Sequence, residues 1–252
     1  MFDLSNQVAL ITGGNGGVGL AFGRGLVKSG AKVAIWGRNA DKNARAVNEL
    51  SALGGDVEAF VCDVTQEDQI ATAFEATLER FGKVDACFAN AGGGGYRGFS
   101  HKAGRETWLD TIDLNLMSVV QTWAPVTDHL VQRGEGGRLI VTSSVAALMG
   151  TGGAAGYSTT KAAVLGLVQA LAVELGRSGI RVNAILPGFI ETEMSLTTSQ
   201  AFQDAARRRS AIGRIGTLED MEGVAVFLAS EHSDFMTGQG LVMDGGHTIF
   251  PM

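Results

Sequence analysis

Seven short apolar runs set the terms for this chain: VALIT (8–12), KVAIW (32–36), VEAFV (57–61), VDACFA (84–89), RLIVTS (138–143), IRVNAIL (180–186) and GLVMD (240–244). Most are continuous in Val, Ile, Leu and Ala. That is the pattern of strands covered on both faces, not of strands with one wet side. Between them lie stretches with helical spacing, such as DKNARAVNELSAL (41–53) and EDQIATAFEATLERF (67–81). Strand–helix alternation predicts an α/β fold, a doubly wound parallel sheet of seven strands with helices on both faces. No linker, charge block or repeat divides the 252 residues, so 1–252 reads as a single domain.

Composition narrows the function classes. The net charge of −6 offers no electrostatic footprint for nucleic acid or an anionic membrane. The run Arg207-Arg208-Arg209 is short and reads as a solvated helix face. The N-terminus lacks a basic n-region and moves straight into a glycine turn, and no apolar run reaches membrane-spanning length. A soluble, cytoplasmic protein is the expectation. Cys62 and Cys87 sit inside apolar runs without CxxC spacing, which predicts buried core thiols. His101, His129, His232 and His247 are dispersed, so no metal site is expected.

The first run leads into ITGGNGGVGLAFGRGLVKSGA. Thr12-Gly13 ends a strand, and Gly17, Val18 and Gly19 open a helix. Glycines permit a tight turn and let backbone approach a pyrophosphate, which the helix N-terminus then attracts. Gly13, Asn15, Gly17, Val18 and Gly19 are therefore candidate cofactor-binding residues. The second strand ends in IWGRN, where a dinucleotide fold specific for NAD usually carries an acidic residue. Gly37 and Arg38 stand there instead. An arginine can pair with a 2′-phosphate, so the site favours NADP(H) and leaves NAD(H) open. Asp63, in VCDVT, reads either as a cofactor contact or as part of the cap of the helix starting near Gln66.

GYSTTKAAV (156–164) places Tyr157 one helical turn before Lys161. A phenol titrates near ~10, too high for ready proton exchange at neutral pH. A cation on the same helix face favours the phenolate and brings it toward a general acid/base. Asn115, in TIDLNLMSVV, is a mid-helix asparagine, an unfavourable choice on propensity alone.

The TGxxxGxG spacing, Asn90-Ala91-Gly92 after the fourth strand, the YxxxK pair and Pro187-Gly188 after the sixth resemble the short-chain dehydrogenase/reductase family. The likeness is to 3-oxoacyl-carrier-protein reductases and related alcohol dehydrogenases, and it runs over essentially the whole chain. It implies a Rossmann-like fold and hydride transfer between a nicotinamide cofactor and a ketone or secondary alcohol. The family spacing from serine to tyrosine, thirteen residues, selects Ser144 over Ser143. The resemblance implies that Ser144 holds the substrate oxygen and that Lys161 tunes Tyr157 and contacts the nicotinamide ribose. Asn115 then links the lysine to solvent through a water. Asp63 with Val64 would contact the adenine, Asn90, Ala91 and Gly92 would shape the cofactor side of the cleft, and Pro187, Gly188, Ile190 and Thr192 would frame the nicotinamide. Many NADP-preferring members carry a basic residue where this chain has Gly16.

The expected substrate is a small-molecule carbonyl or alcohol. Pocket walls are predicted at 93–99, 145–155 and 189–202, with a lid over about 189–210. Tyr96 and Arg97 are candidate polar contacts there, with a solvent-exposed Arg97 the alternative. The apolar helical regions near 109–133 and 157–176 imply a homotetramer on the family pattern, with the tail TIFPM near an interface or frayed. An NAD-dependent secondary-alcohol dehydrogenase and a non-catalytic nucleotide-binding sensor are the alternatives.

Overall fold

The computed structural model describes residues 2–249, except for the side chain of Met194. Its strands are β1 (Val8–Thr12), β2 (Lys32–Gly37), β3 (Val57–Val61), β4 (Ala86–Ala89), β5 (Gly137–Thr142), β6 (Ile180–Pro187) and β7 (Gly240–Met243). All pair in parallel, in the order β3-β2-β1-β4-β5-β6-β7. The expected seven-stranded, Rossmann-like doubly wound sheet is therefore present. The strand order reverses between β1 and β4, and the crevice above their carboxyl ends is where such sheets bind ligands.

Successive strand residues point to opposite faces, which divides the apolar residues between two cores. On one face Ala9, Ile11, Val33, Ile35 and Phe88 pack beneath α1 (Gly17–Lys28), α2 (Ala40–Ala52) and α9 (Glu222–Ala229). On the other, Leu10, Ala34, Trp36, Cys87 and Val141 meet α3 (Glu67–Phe81), α5 (Ser118–Arg133) and α6 (Ala155–Leu175). Cys62 and Cys87 are buried free thiols, as expected. Burial pushes the Cys62 thiol up to about 12. Not every strand is covered on both faces: β3 and β7 are the sheet edges and are partly exposed.

Two sequence expectations change. The region 109–133 is not one regular helix. α4 (Arg105–Ile112) gives way to a π-helical turn over Asp113–Met117 before α5 begins. Separately, residues 155–178, α6 with its following turn, are long and apolar enough to cross a membrane by length and composition. Lys161 and Glu174 hide this in a search for uncharged runs. Here one face of α6 packs on the sheet through Val164, Val168, Ala172 and Leu175. Its outer face is also rich in small and apolar residues, so the helix lacks the polar side that marks an amphipathic one.

Candidate active site

The phosphate-type turn forms because backbone, not side chains, fills the space after β1. Gly13 and Gly17 have φ of 63° and 51°, the left-handed region that favours glycine. Gly19 is confined by its surroundings: a Cβ there would lie 2.4 Å from the Gly13 carbonyl oxygen and 2.5 Å from Asn90 Nδ2. Gly16, the residue before α1, contributes no side-chain cap, so the helix's first N–H groups are available to an anion. Val18 packs against the core. A pyrophosphate fits this cradle.

Asn15 donates to Asn43 Oδ1 at 2.6 Å, and Asn43 Nδ2 donates to the Gly37 carbonyl at 2.9 Å. The turn is thereby braced against the end of β2. Asn43 is buried inside α2 and escaped the sequence reading, because nothing marks it apart from other helix asparagines. The same brace closes position 37. A Cβ on Gly37 would fall 2.2 Å from Asn15 Nδ2 and 2.4 Å from Asn43 Oδ1, so an acidic side chain has no room there.

Arg38 follows, exposed, with its guanidinium 3.8 Å from the Asp63 carboxylate. Asp63 does not cap α3. It accepts from the backbone N–H and hydroxyl of Thr65, at 3.0 and 2.8 Å, and α3 starts after Gln66. Partial burial opposes the Asp63 charge, but the Thr65 hydrogen bonds and Arg38 outweigh it and hold the carboxyl below its usual value. Val64 turns its side chain into the core, so only its backbone is free to meet a ligand.

Asn90 joins three strands. Its Nδ2 donates to the carbonyls of Thr12 and Gly13 at 3.2 and 3.3 Å, and its Oδ1 accepts from Thr142 Oγ1 at 3.0 Å. Thr12 Oγ1 in turn accepts from the N–H groups of Asn90 and Ala91, both at 3.0 Å. The switch point between β1, β4 and β5 is thus held by side chains. Thr12 and Thr142 were not singled out from sequence; a threonine closing a buried strand was the available signal.

The π-helical turn contains Asn115, which is fully buried. Its Oδ1 accepts from Gly93 N–H and its Nδ2 donates to the Gly93 carbonyl, both at 3.0 Å. It also donates to the Thr111 carbonyl at 3.2 Å, the bond that the widened turn accommodates. A Cβ on Gly92 would be 2.8 Å from Asn115 Oδ1 and 3.3 Å from Lys161 Nζ, so Gly92 is the close approach between these two side chains. Lys161 is buried and donates to the Thr142 carbonyl at 2.7 Å. Burial pushes its amine down to about 8.

Ser143 and Ser144 part company after β5. Ser143 is buried and donates to the Lys161 carbonyl at 2.7 Å, fixing β5 to α6. Ser144 is half-buried, accepts from Ala146 N–H at 3.1 Å and lies beside the Tyr157 phenol, whose charged form it favours. Tyr157 has two basic side chains near its ring, with Lys161 Nζ 5.8 Å and the Arg97 guanidinium carbon 5.9 Å from the centroid. Contrary to the sequence expectation, its pKa is raised. Burial dominates, while neighbouring Ser144 and the Arg97 charge pull the other way without cancelling it.

The opposite wall follows β6. Gly188 donates to the Met243 carbonyl at 2.9 Å and packs so closely on Asp244 that a Cβ would come within 2.7 Å. Pro187 is buried at the strand end. Ile190 turns inward over Gly216 and offers the cleft backbone only. Thr192 opens α7 (Glu193–Leu196), donating from N–H to Ser195 Oγ at 2.7 Å. It faces the phosphate-type turn, 3.6 Å from where a Gly17 Cβ would sit. α8 (Gln200–Arg209) follows, and Phe202 meets Phe189 edge-on with centroids 5.4 Å apart. Of the predicted tail, 250–252 lie outside the described residues.

Among the described residues there is no cluster of side chains suited to a metal. The arrangement gathers a phenol beside a serine hydroxyl, a buried amine and an anion-accepting turn in one crevice. It can exchange a proton with a substrate oxygen beside a dinucleotide.

Comparison with known proteins identifies the family. The family model described as enoyl-(acyl carrier protein) reductase matches residues 13–248. Gluconate 5-dehydrogenase of Gluconobacter oxydans is 35% identical, covering 99% of this chain and 97% of its own. The structure of 3-ketoacyl-(acyl-carrier-protein) reductase from Brucella melitensis, complexed with NADH, has a TM-score of 0.92 at 30% identity, covering 98% and 100% of the chains. The NADPH-dependent 3-quinuclidinone reductase of Rhodotorula rubra has a TM-score of 0.89 at 31% identity, covering 98% and 93%. With the motifs, the sheet order and these full-length likenesses together, the chain belongs to the short-chain dehydrogenase/reductase family and is an NAD(P)-dependent oxidoreductase.

Proposed function

We propose that the protein interconverts a ketone and a secondary alcohol with NADP(H), using Tyr157 as general acid/base. The observation that carries this reading is the Tyr157 phenol set beside Ser144, with the Nζ of buried Lys161, one helical turn along, 5.8 Å from its ring. The bound nicotinamide supplies or accepts the hydride. In reduction Ser144 donates to the carbonyl oxygen, where negative charge grows, and Tyr157 gives that oxygen its proton. Lys161 stabilises the phenolate that results. Asn115, held by Gly93 and close to Lys161 across Gly92, lies on the path by which the proton is replaced from solvent.

The NADP(H) preference rests on Arg38 and on the blocked position 37. The opposing reading, NAD(H), is favoured by Asp63, whose carboxylate occupies Arg38. The relatives differ in substrate, naming gluconate, a 3-ketoacyl group and 3-quinuclidinone, and are all named as dehydrogenases or reductases. The segment 189–210 serves as a lid in this proposal, since Thr192 faces the turn and α7 and α8 behind it carry exposed Leu196 and Phe202. The whole chain acts as one domain and assembles as a homotetramer through exposed apolar positions such as Val120, Val131 and Val173 on α5 and α6. A cytoplasmic setting completes the proposal and fits two buried free thiols.

Nicotinamide absorbance, followed with NADPH and NADH over a panel of ketones, tests it. Oxidation of NADPH in preference to NADH, abolished in Tyr157→Phe with cofactor binding intact, is the expected result. A Tyr157→Phe variant as active as the parent would overturn the assignment of the proton donor.

A further inference from the structure

Arg97 sits at the crevice without an acidic partner. Its guanidinium carbon is 5.9 Å from the Tyr157 ring centroid. Arg97 has no ion pair among the described residues, although the chain as a whole is acidic. The guanidinium lies against Gly94, where a Cβ would come within 2.9 Å of Nη2. Gly98 N–H then bonds the Gly153 carbonyl at 2.9 Å, pinning the 93–99 loop across to the segment before α6. Arg97 is exposed, so its charge is free to meet an anion that enters the crevice beside Tyr157.

We infer that Arg97 selects an anionic substrate, an oxo or hydroxy acid whose carboxylate pairs with the guanidinium while its carbonyl or hydroxyl meets Tyr157 and Ser144. This inference rests on the oxidoreductase reading above. A guanidinium binds a carboxylate through two parallel hydrogen bonds, so it would fix which carbon faces the nicotinamide as well as add affinity. The Arg97 charge also acts on the Tyr157 phenol, which gives a second role that the test must separate.

The experiment compares 4-oxopentanoate and 5-oxohexanoate with their neutral methyl esters, using NADPH and NADH, in the parent protein, Arg97→Gln and Arg97→Lys. The expected result is a parent preference for the acids. Arg97→Gln loses about 10- to 100-fold in kcat/KM on the acids, mainly through KM, and little on the esters; Arg97→Lys keeps part of the preference. Equal losses on acids and esters, with the pH profile of the reaction displaced, would mean that Arg97 only tunes Tyr157 and would overturn the inference. A parent that reduces the esters as well as the acids would also overturn it and leave the oxidoreductase reading standing. No turnover of any carbonyl, with cofactor binding intact, would sink both.

Discussion

Lys161 donates to the carbonyl oxygen of Thr142 at 2.7 Å, and that bond is its only hydrogen bond to the described protein. A buried ammonium with one partner is poorly solvated, and burial pushes it down to about 8 from an ordinary value of 10.5. Between those two values the unfolded chain still holds the proton that the folded chain has released. Stability therefore rises with pH across that window, and below it the full cost of the buried charge is present. Lys161→Met removes the charge, a gain on the order of 3 kcal/mol at pH 7, but strands the Thr142 carbonyl at roughly 1–3 kcal/mol. The expected variant is inactive yet as stable as the parent or slightly more so at pH 7. At pH 10 it is less stable than the parent. Thermal melts at the two pH values check this, and a stability difference independent of pH would refute it.

The raised Tyr157 pKa sets the direction of the pH–rate profiles for the proposed chemistry. Reduction needs the phenol protonated, a form favoured throughout the neutral range. Its kcat/KM is expected to stay level from pH 6 to 8 and to fall only well into the alkaline range. Oxidation of the alcohol needs the phenolate and is expected to climb through that same range. Initial rates in both directions over a pH series test the pair. A reduction rate that falls between pH 6 and 8 would contradict the environment described for Tyr157.

Two glycines three residues apart should respond oppositely to substitution. Gly19→Ala drives a methyl into the Gly13 carbonyl and Asn90, neither of which is a flexible side-chain end. A stability loss of about 1–3 kcal/mol is expected, with at least ~10-fold weaker cofactor binding. Gly16 has nothing within 4 Å of its would-be Cβ and an extended backbone, so a side chain is tolerated there. Gly16→Arg is expected to fold normally. If the site takes NADP(H), it should bind NADPH more tightly while leaving NADH unchanged. Fluorescence titration with both cofactors, beside denaturant melts, measures each outcome.

The Arg38–Asp63 pair makes the cofactor preference separable from general damage. Arg38→Ala should weaken NADPH about 10-fold or more, as loss of a charge-assisted phosphate contact implies, and spare NADH. Asp63→Asn frees Arg38 and should strengthen NADPH. The Asp63 side chain shows ~29% exposure, so losing the pair itself should move stability by no more than ~1 kcal/mol. Equal effects of Arg38→Ala on both cofactors would favour the NAD(H) reading.

What the sequence determined was the periodic and the local. Continuous apolar runs separated by amphipathic stretches leave a parallel sheet covered on both faces as the economical way to bury this much Val, Ile and Leu, and all seven runs became its strands. Tyr157 and Lys161 were readable as neighbours because helix geometry alone brings i and i+4 together. Tertiary structure decided whatever depended on residues distant in the chain. Asn43 braces Asn15 across the end of β2, and Thr12, Asn90 and Thr142 meet only when β1, β4 and β5 lie side by side. The sign of the Tyr157 shift belongs to this second group. A sequence shows the cation one turn away, but burial depends on everything packed around the phenol, and here the loss of water outweighs the charge.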